Sequence, residues 1–355
     1  MELQKYINTN DNFVSSLRKQ NLTVIVNKTL NLALIKIKKN KEYVDSPWIK
    51  YCRGAVVDLT TNKLLCVPPM KSSVHNNMNE IIESYDEKNI YQPLIDGTMI
   101  NMFHYNNEWI MSTRSNIGAT NSWEGKRTFK DMFEEINGTG WFEELDKNHC
   151  YSFVVQHTNN RNVTPIDKNN IFLVESYNMV GDNIIFDEKL PQIEGITNIV
   201  TISESGLNDF TEDLYFSIKG ITIKTVDSRI NFINDNFKYV LSLKMNYNDK
   251  FMNYLDLCKK NKVEEHILYY PEDIELYESY SEIMNDIVIK THSNYNNVHI
   301  RKTTELKDTP FPLIPLIREL HINYLDTKNK NTFKVISSYI WNLPYKRLLF
   351  IKNRL

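Results

Sequence analysis

The chain has 355 residues, 41% of them hydrophobic and 24% charged, which excludes a disordered or fibrous chain and leaves room for two domains. Lys and Arg number 42 against 44 Asp and Glu, a formal net charge of −2. With no global cationic field, any nucleic-acid site has to be a local basic surface.

At the N-terminus, MELQKYINTNDNF carries charges and amides where a signal peptide needs an apolar stretch, and no run of about 18 apolar residues follows anywhere. The expectation is an intracellular, cytoplasmic protein with no membrane partner. From Thr23 to about Lys244, β-rich runs recur between turns: TVIV, LALIKIKK, GAVVDL, KLLCVP, TMINMFHY, EWIMSTR, CYSFVVQ, IFLVESYNM, NIIFD and GITIKT. This spacing predicts antiparallel hairpins. One helical stretch interrupts them, Ser122 to Glu144, with Phe129, Met132, Phe133 and Ile136 at helical spacing. After about Asp249 the period becomes helical, over Tyr254 to Lys262, Asp273 to Lys290, Leu313 to Leu325 and Thr332 to Trp341, and the last segment, Tyr345 to Leu355, alternates basic and apolar residues as a helix for its own core or for a partner. The PFPLIP run reads as a loop entering a helix at Pro315. The predicted class is α+β, with an antiparallel-sheet domain over 1–248 and a helical domain over 249–355.

Cys52, Cys66, Cys150 and Cys258 form no CxxC pair, which argues against a zinc ribbon, a redox motif or a disulfide framework. His75, His104 and His157 have no metal-ligand spacing. Tyr269, Tyr270, Tyr277 and Tyr280 are assigned to helix packing ahead of base stacking. Lys346, Arg347, Lys352 and Arg354 form a solvated face that also offers a contact for nucleic acid or a protein partner.

A series of short motifs runs in fixed order along the β-rich part. Cys52-Arg53-Gly54-Ala55-Val56-Val57-Asp58 opens a strand, and Val67-Pro68-Pro69-Met70-Lys71 follows, then His75-Asn76 and Asn79-Glu80. Leu94-Ile95-Asp96-Gly97-Thr98 leads into a hairpin ending at Ser112-Thr113-Arg114-Ser115. Asn160-Arg161-Asn162-Val163, Lys219-Gly220-Ile221-Thr222-Ile223-Lys224 and the segment from Lys238 to Tyr247, with Lys238 and Lys244, complete it. One Asp-Gly is only a hairpin turn. The whole series resembles the covalent nucleotidyltransferase superfamily of RNA ligases, DNA ligases and capping enzymes, most closely the phage-type RNA ligase 1 group, over Thr23 to Tyr247.

The resemblance implies a nucleotidyltransferase (ATP-grasp-like ligase) domain and an ATP- and Mg-dependent chemistry. A lysine two residues before Asp-Gly attacks the α-phosphate of ATP, and the adenylate passes to an RNA 5′-phosphate. Carboxylates bind ribose or metal, and cations meet phosphate. This sequence departs at the positions that matter most. Leu94 stands at the nucleophile position and cannot form a phosphoramide. Val154 and Lys219 stand where carboxylates belong, Lys219 reversing the charge. No residue is therefore assigned to catalysis or to a metal, and no cofactor is certain. The family's nucleotide- or RNA-binding positions that survive are Arg53, Gly54, Lys71, Asp96, Gly97, Arg114, Asn160, Arg161, Lys224, Lys238 and Lys244. Three readings follow. The first is a catalytically degenerate RNA-ligase-like protein that binds an RNA end, a cap or a nucleotide in a cationic cleft. The second is an active ligase that uses ATP and Mg through a relocated lysine such as Lys71, or acts on pre-adenylylated RNA. The third is a non-catalytic scaffold in an RNA-processing complex, with a protein partner on its C-terminal helices.

Overall fold

The computed structural model describes residues 1–38, 42, 45–123, 127–208, 215–245 and 247–355. The end of the LALIKIKK run at residue 39, residues 124–126 of the predicted helix, and residue 246 of the last motif lie outside these. The chain divides into two compact units, Met1–Leu241 and Ser242–Leu355. It is α+β, with antiparallel sheets in the first unit and helices in the second.

Among the described residues, three sheets build the first unit. The first takes β1 (Leu22–Asn27), β2 (Leu32–Ile37), β3 (Arg53–Asp58) and β4 (Lys63–Cys66) in chain order. β5 (Ser73–His75) and β6 (Ile90–Pro93) are reserved for the third sheet. The second contains β7 (Thr98–Tyr105), β8 (Glu108–Ser112), β9 (His149–Gln156), β10 (Asn170–Val180) and β11 (Asn183–Phe186), in the order β11-β10-β9-β7-β8. The short β12 (Thr197–Asn198) adds to β10 in parallel. The third sheet has the order β5-β14-β13-β6, with β13 (Gly220–Lys224) and β14 (Arg229–Ile233).

Asparagines at loop positions make the hairpins. Asn106 and Asn107, between β7 and β8, both take positive φ, 52° and 64°, the requirement of a two-residue turn whose twist matches its strands. The interrupting helix is shorter than its periodicity suggests. Phe129–Asn137 is α-helical, a 3-10 stretch covers Gly140–Glu144, and Gly138 at φ 63° separates them. Its start is set by a capping box, Thr128 with Asp131.

Alternation of side chains decides where core ends and site begins. One face of the second sheet buries Ile100, Met102, Tyr151, Phe153, Ile171 and Leu173 against that helix. On the other face Phe103, Cys150 and Tyr177 pack against Leu32, Leu34 and Val56 of the first sheet. Two residues further along the same face come Asn101, Met99 and Gly97 on the β7 side and Ser152 and Val154 on β9, where the first sheet no longer covers them. The third sheet turns its apolar face, Tyr91, Ile221 and Ile223, to Met78, Ile81 and Leu207 of two short helices. Its polar face is turned the other way.

The second unit packs helices Lys250–Lys260, Ile274–Tyr295, Ile314–Thr327, Phe333–Trp341 and Tyr345–Lys352 around Phe251, Leu255, Met284, Ile287, Leu316, Ile336 and Leu348. Pro315 sits in the first turn of its helix, where no N–H is missed. Tyr277 is in this core, Tyr280 packs against it, and Tyr270 stacks on His266 at 4.6 Å. Arg347 forms a two-pronged pair with Glu319, at 2.9 and 2.7 Å. Among the described residues, no helix is long and apolar enough to cross a membrane.

Candidate functional site

A cavity of about 280 Å³ opens between the polar face of the third sheet and the uncovered end of the second. The third sheet contributes a cross-strand row, because Gln92 of β6 is in register with Thr222 of β13, and Thr222 with Asn231 of β14. The neighbouring row on that face ends in Lys224 opposite Arg229. Asn101, Met99, Val154 and Val174 form the other wall, and Arg53, Leu94 and Arg114 stand at its edges.

Two β-bulges shape the walls. On β3, Gly54 is the extra residue where the register with β2 shifts, so that Ile35 faces Ala55 and Lys36 faces Arg53. Its φ is +110°, and a Cβ there would stand 3.0 Å from the Arg114 Cα; the glycine lets the chain bring Arg53 beside Arg114. On β10 the register shifts between Leu173 and Glu175, so Val174 and Glu175 both come to the cavity side. Gly97 allows a similar approach between β7 and β9: a Cβ would meet the Val155 carbonyl oxygen at 2.4 Å.

The cations differ in how they are held. Glu175, buried, takes Lys224 at 3.0 Å and also pairs with Arg229. Lys224 donates to the Val174 carbonyl as well, at 3.0 Å. Burial lowers the Lys224 ammonium to about 7. It lowers Arg229 too, with Arg53 adding repulsion. Arg53 is lowered by burial and then by Arg114. Among the described residues neither Arg53 nor Arg114 has a hydrogen bond or an ion pair through its side chain. Two like charges held together repel each other, and an anion between them would relieve that repulsion.

Four polar atoms on these walls also lack partners among the described residues: Gln92 Oε1, Asn101 Nδ2, Thr222 Oγ1 and Asn231 Oδ1. Gln92, Asn101 and Thr222 are more than nine-tenths buried. Leaving such groups unpaired costs about 1–3 kcal/mol each, so a ligand that bonded to them would recover a large sum.

The remaining sequence-predicted positions are placed as follows. Asp96 is buried, and its oxygens accept from Asn162 Nδ2 at 2.8 Å, Val163 N at 2.9 Å and Thr164 N at 3.2 Å. Lys219 Nζ lies 3.4 Å from it. Burial would raise the Asp96 carboxyl, but Lys219, Asn162 and the two backbone N–H groups outweigh it and hold the carboxyl low. Asn160 donates to Thr98 Oγ1 at 2.8 Å, and Arg161 caps its own loop through the Val163 carbonyl at 3.0 Å. Lys238 pairs with Asp235 at 2.8 Å on an exposed helix face. Lys71 does not line the cavity, and Lys244 belongs to the second unit. The structure thus brings together Arg53, Leu94, Gly97, Arg114, Val154, Lys219 and Lys224, and adds Glu175, Arg229 and the polar row. The alternating spellings Arg229-Asn231-Ile233 and Gln92-Leu94 were the only sequence signal for the row.

The Asp96 geometry has a pH consequence. Its folded pKa lies below the unfolded value of about 3.9, so its contribution is complete above that value and is lost as pH falls through the folded one. Urea melts across the acid range should show this loss in the wild type. In Asp96→Asn the slope should be shallower, and the variant less stable at neutral pH.

A divalent metal finds no fit here. An ionised carboxylate has about four acceptor sites, and Asp96 already serves three N–H donors and an ammonium. Glu175 is matched by two cations, and among the described residues no group of three His, Cys, Asp or Glu is placed to hold a metal ion.

No protein-family model matches the chain, and no curated protein matches it. Among solved structures it is similar to a putative ATP-dependent DNA ligase from Aquifex aeolicus, with a TM-score of 0.43 and 14% identity, covering 75% of this chain and 74% of that one. It is also similar to an archaeal ATP-dependent RNA ligase in two forms. Form 1 has a TM-score of 0.45 and 10% identity, over 80% of this chain and 82% of that one. Form 2 has a TM-score of 0.46 and 10% identity, over 81% and 82%.

Proposed function

We propose that this chain is a catalytically degenerate, RNA-ligase-like protein that binds a phosphorylated nucleotide unit, as an RNA end, a cap or a free nucleotide, and does not adenylylate itself. The observation that carries this reading is the pair of unpartnered guanidinium groups, Arg53 and Arg114, at the edge of a cavity whose polar walls are unsatisfied. Phosphate suits the arginines, and a base or ribose edge suits the row of Gln92, Thr222 and Asn231. Leu94 places an isobutyl group where an attacking amine would have to be. The arginines favour this reading over a purely structural scaffold, since a scaffold gains nothing from two unpaired like charges.

Incubation with α-labelled ATP and magnesium should leave no protein-bound AMP, while a 5′-phosphorylated oligoribonucleotide should bind. An acid-labile protein–AMP adduct would overturn the non-catalytic part of the proposal. Its loss in Lys71→Ala or in Lys224→Arg would then identify a relocated nucleophile. Leu94→Lys alone should not restore ligation, because Lys219 adds a cation where the resembling family has a carboxylate.

A further inference from the structure

We propose that the cavity takes its phosphate ligand as the free anion, without a divalent cation, and that the Lys219 ammonium supplies the charge a metal would otherwise bring. This rests on the reading of the cavity as a site for a phosphorylated nucleotide unit.

The charge balance of the walls leads to it. Arg53, Arg114, Lys219, Lys224 and Arg229 all line the cavity, and the carboxylates beside them are Asp96 and Glu175. Neither carboxylate is open to a metal. Both Asp96 oxygens are occupied by donors, and Lys219 adds a charge to one of them. Glu175 is enclosed by two cations that would repel a third. Magnesium demands near-ideal octahedral oxygen geometry, and seating it on Asp96 would mean displacing Lys219 and breaking the bonds that order residues 162–164.

Lys219 itself is firmly placed. It precedes Gly220, where a Cβ would meet the Phe232 carbonyl oxygen at 2.0 Å, so the start of β13 lies tight against β14. Asn234 N donates to the Lys219 carbonyl at 3.0 Å, and the ammonium lies 5.8 Å from the Phe237 ring centroid. Such an ammonium is a compact point charge with three donors. Asp96 takes one side of it and leaves the other for a ligand oxygen.

The consequence is a ligand preference opposite to that of a metal-assisted nucleotide site. Magnesium bound to a polyphosphate cancels two of the negative charges that the cations would meet, so it should compete with the protein. The test is calorimetric titration of the full-length protein with ATP and, separately, with 5′-phosphorylated and 5′-hydroxyl oligoribonucleotides, each in EDTA and in excess magnesium chloride at matched ionic strength. ATP is expected to bind roughly tenfold tighter in EDTA, and the phosphorylated oligonucleotide to bind in both conditions. Lys219→Gln should lower the EDTA affinity and narrow the gap between conditions, while Lys219→Arg should keep both, with thermal melting as the check on folding. Binding that requires magnesium would overturn this inference and leave the proposed function in place. Absence of binding in both conditions would remove the site, and the inference with it.

Discussion

Replacing Arg53 and Arg114 together by alanine is expected to cost roughly a hundredfold or more in affinity for a 5′-phosphorylated oligoribonucleotide, while the free protein melts at a higher temperature than the wild type. Each guanidinium offers charge-assisted hydrogen bonds worth about 1.5–3 kcal/mol, which sets the loss on binding. The gain in stability comes from the same pair read without ligand. Arg53 is lowered by burial and by Arg114, and no carboxylate among the described residues relieves either charge. The log-log salt dependence should flatten by about 0.7 for each contact removed on a single strand. Filter binding over a salt series, with calorimetric melting alongside, reads both effects. A double variant that binds as before would remove the anion site. One that binds weakly and also melts early would show that the pair is structural.

The largest loss of stability should come from Glu175→Gln. Removing one partner of a buried ion pair costs about 3–5 kcal/mol, because the remaining charge is stranded, and here two cations would be stranded. They differ in their escape. Lys224 can give up its proton, since burial already draws its ammonium to about 7, whereas a guanidinium cannot. In the variant, folded Lys224 becomes neutral while the unfolded chain keeps its proton up to about 10.4. The unfolded state then binds more protons, so the variant's stability rises with pH across that window. The wild type gains in the same way above about 7, where its own Lys224 loses the proton, so the deficit should narrow as pH rises toward 7 and stay level above it, without closing because Arg229 remains unpaired. Denaturant melts at several pH values would show this, and a deficit that is small, or flat below pH 7, would mean that Glu175 does not balance these cations.

Much of the scaffold was legible in the chain. The β runs showed as short β-rich segments between turns, and the helices after Asp249 as segments of helical period. The helix Phe129–Asn137 was legible through the spacing of Phe129, Met132, Phe133 and Ile136, but its start was read at Ser122 and not at the Thr128 and Asp131 box. The length of that helix was not legible, because the 3-10 stretch Gly140–Glu144 continues the apolar pattern after the chain has broken at Gly138. The short helices Glu2–Asn8 and Phe13–Lys19 escaped notice, since seven residues give too little period to read. In the site, Arg53, Arg114 and Lys224 stood out by their place in ordered motifs. Glu175 and Arg229 did not, for their pairing joins strands from two different sheets. The bulge that turns Glu175 toward the cavity is a property of the β9–β10 register and leaves no local signature.

The strands that present Gln92, Thr222 and Asn231 to the cavity present Tyr91, Ile221, Ile223 and Phe232 to the opposite side. Because successive side chains alternate, inserting or deleting one residue within Ile90–Pro93 or Gly220–Lys224 would exchange the two sets, sending a tyrosine or an isoleucine into the cavity and a glutamine or a threonine into the apolar layer. Loops can lengthen at little cost, but these two segments cannot change length by a single residue and keep either property. A change of specificity that keeps this fold therefore has to come by substitution at every second position of these strands, with their lengths unchanged.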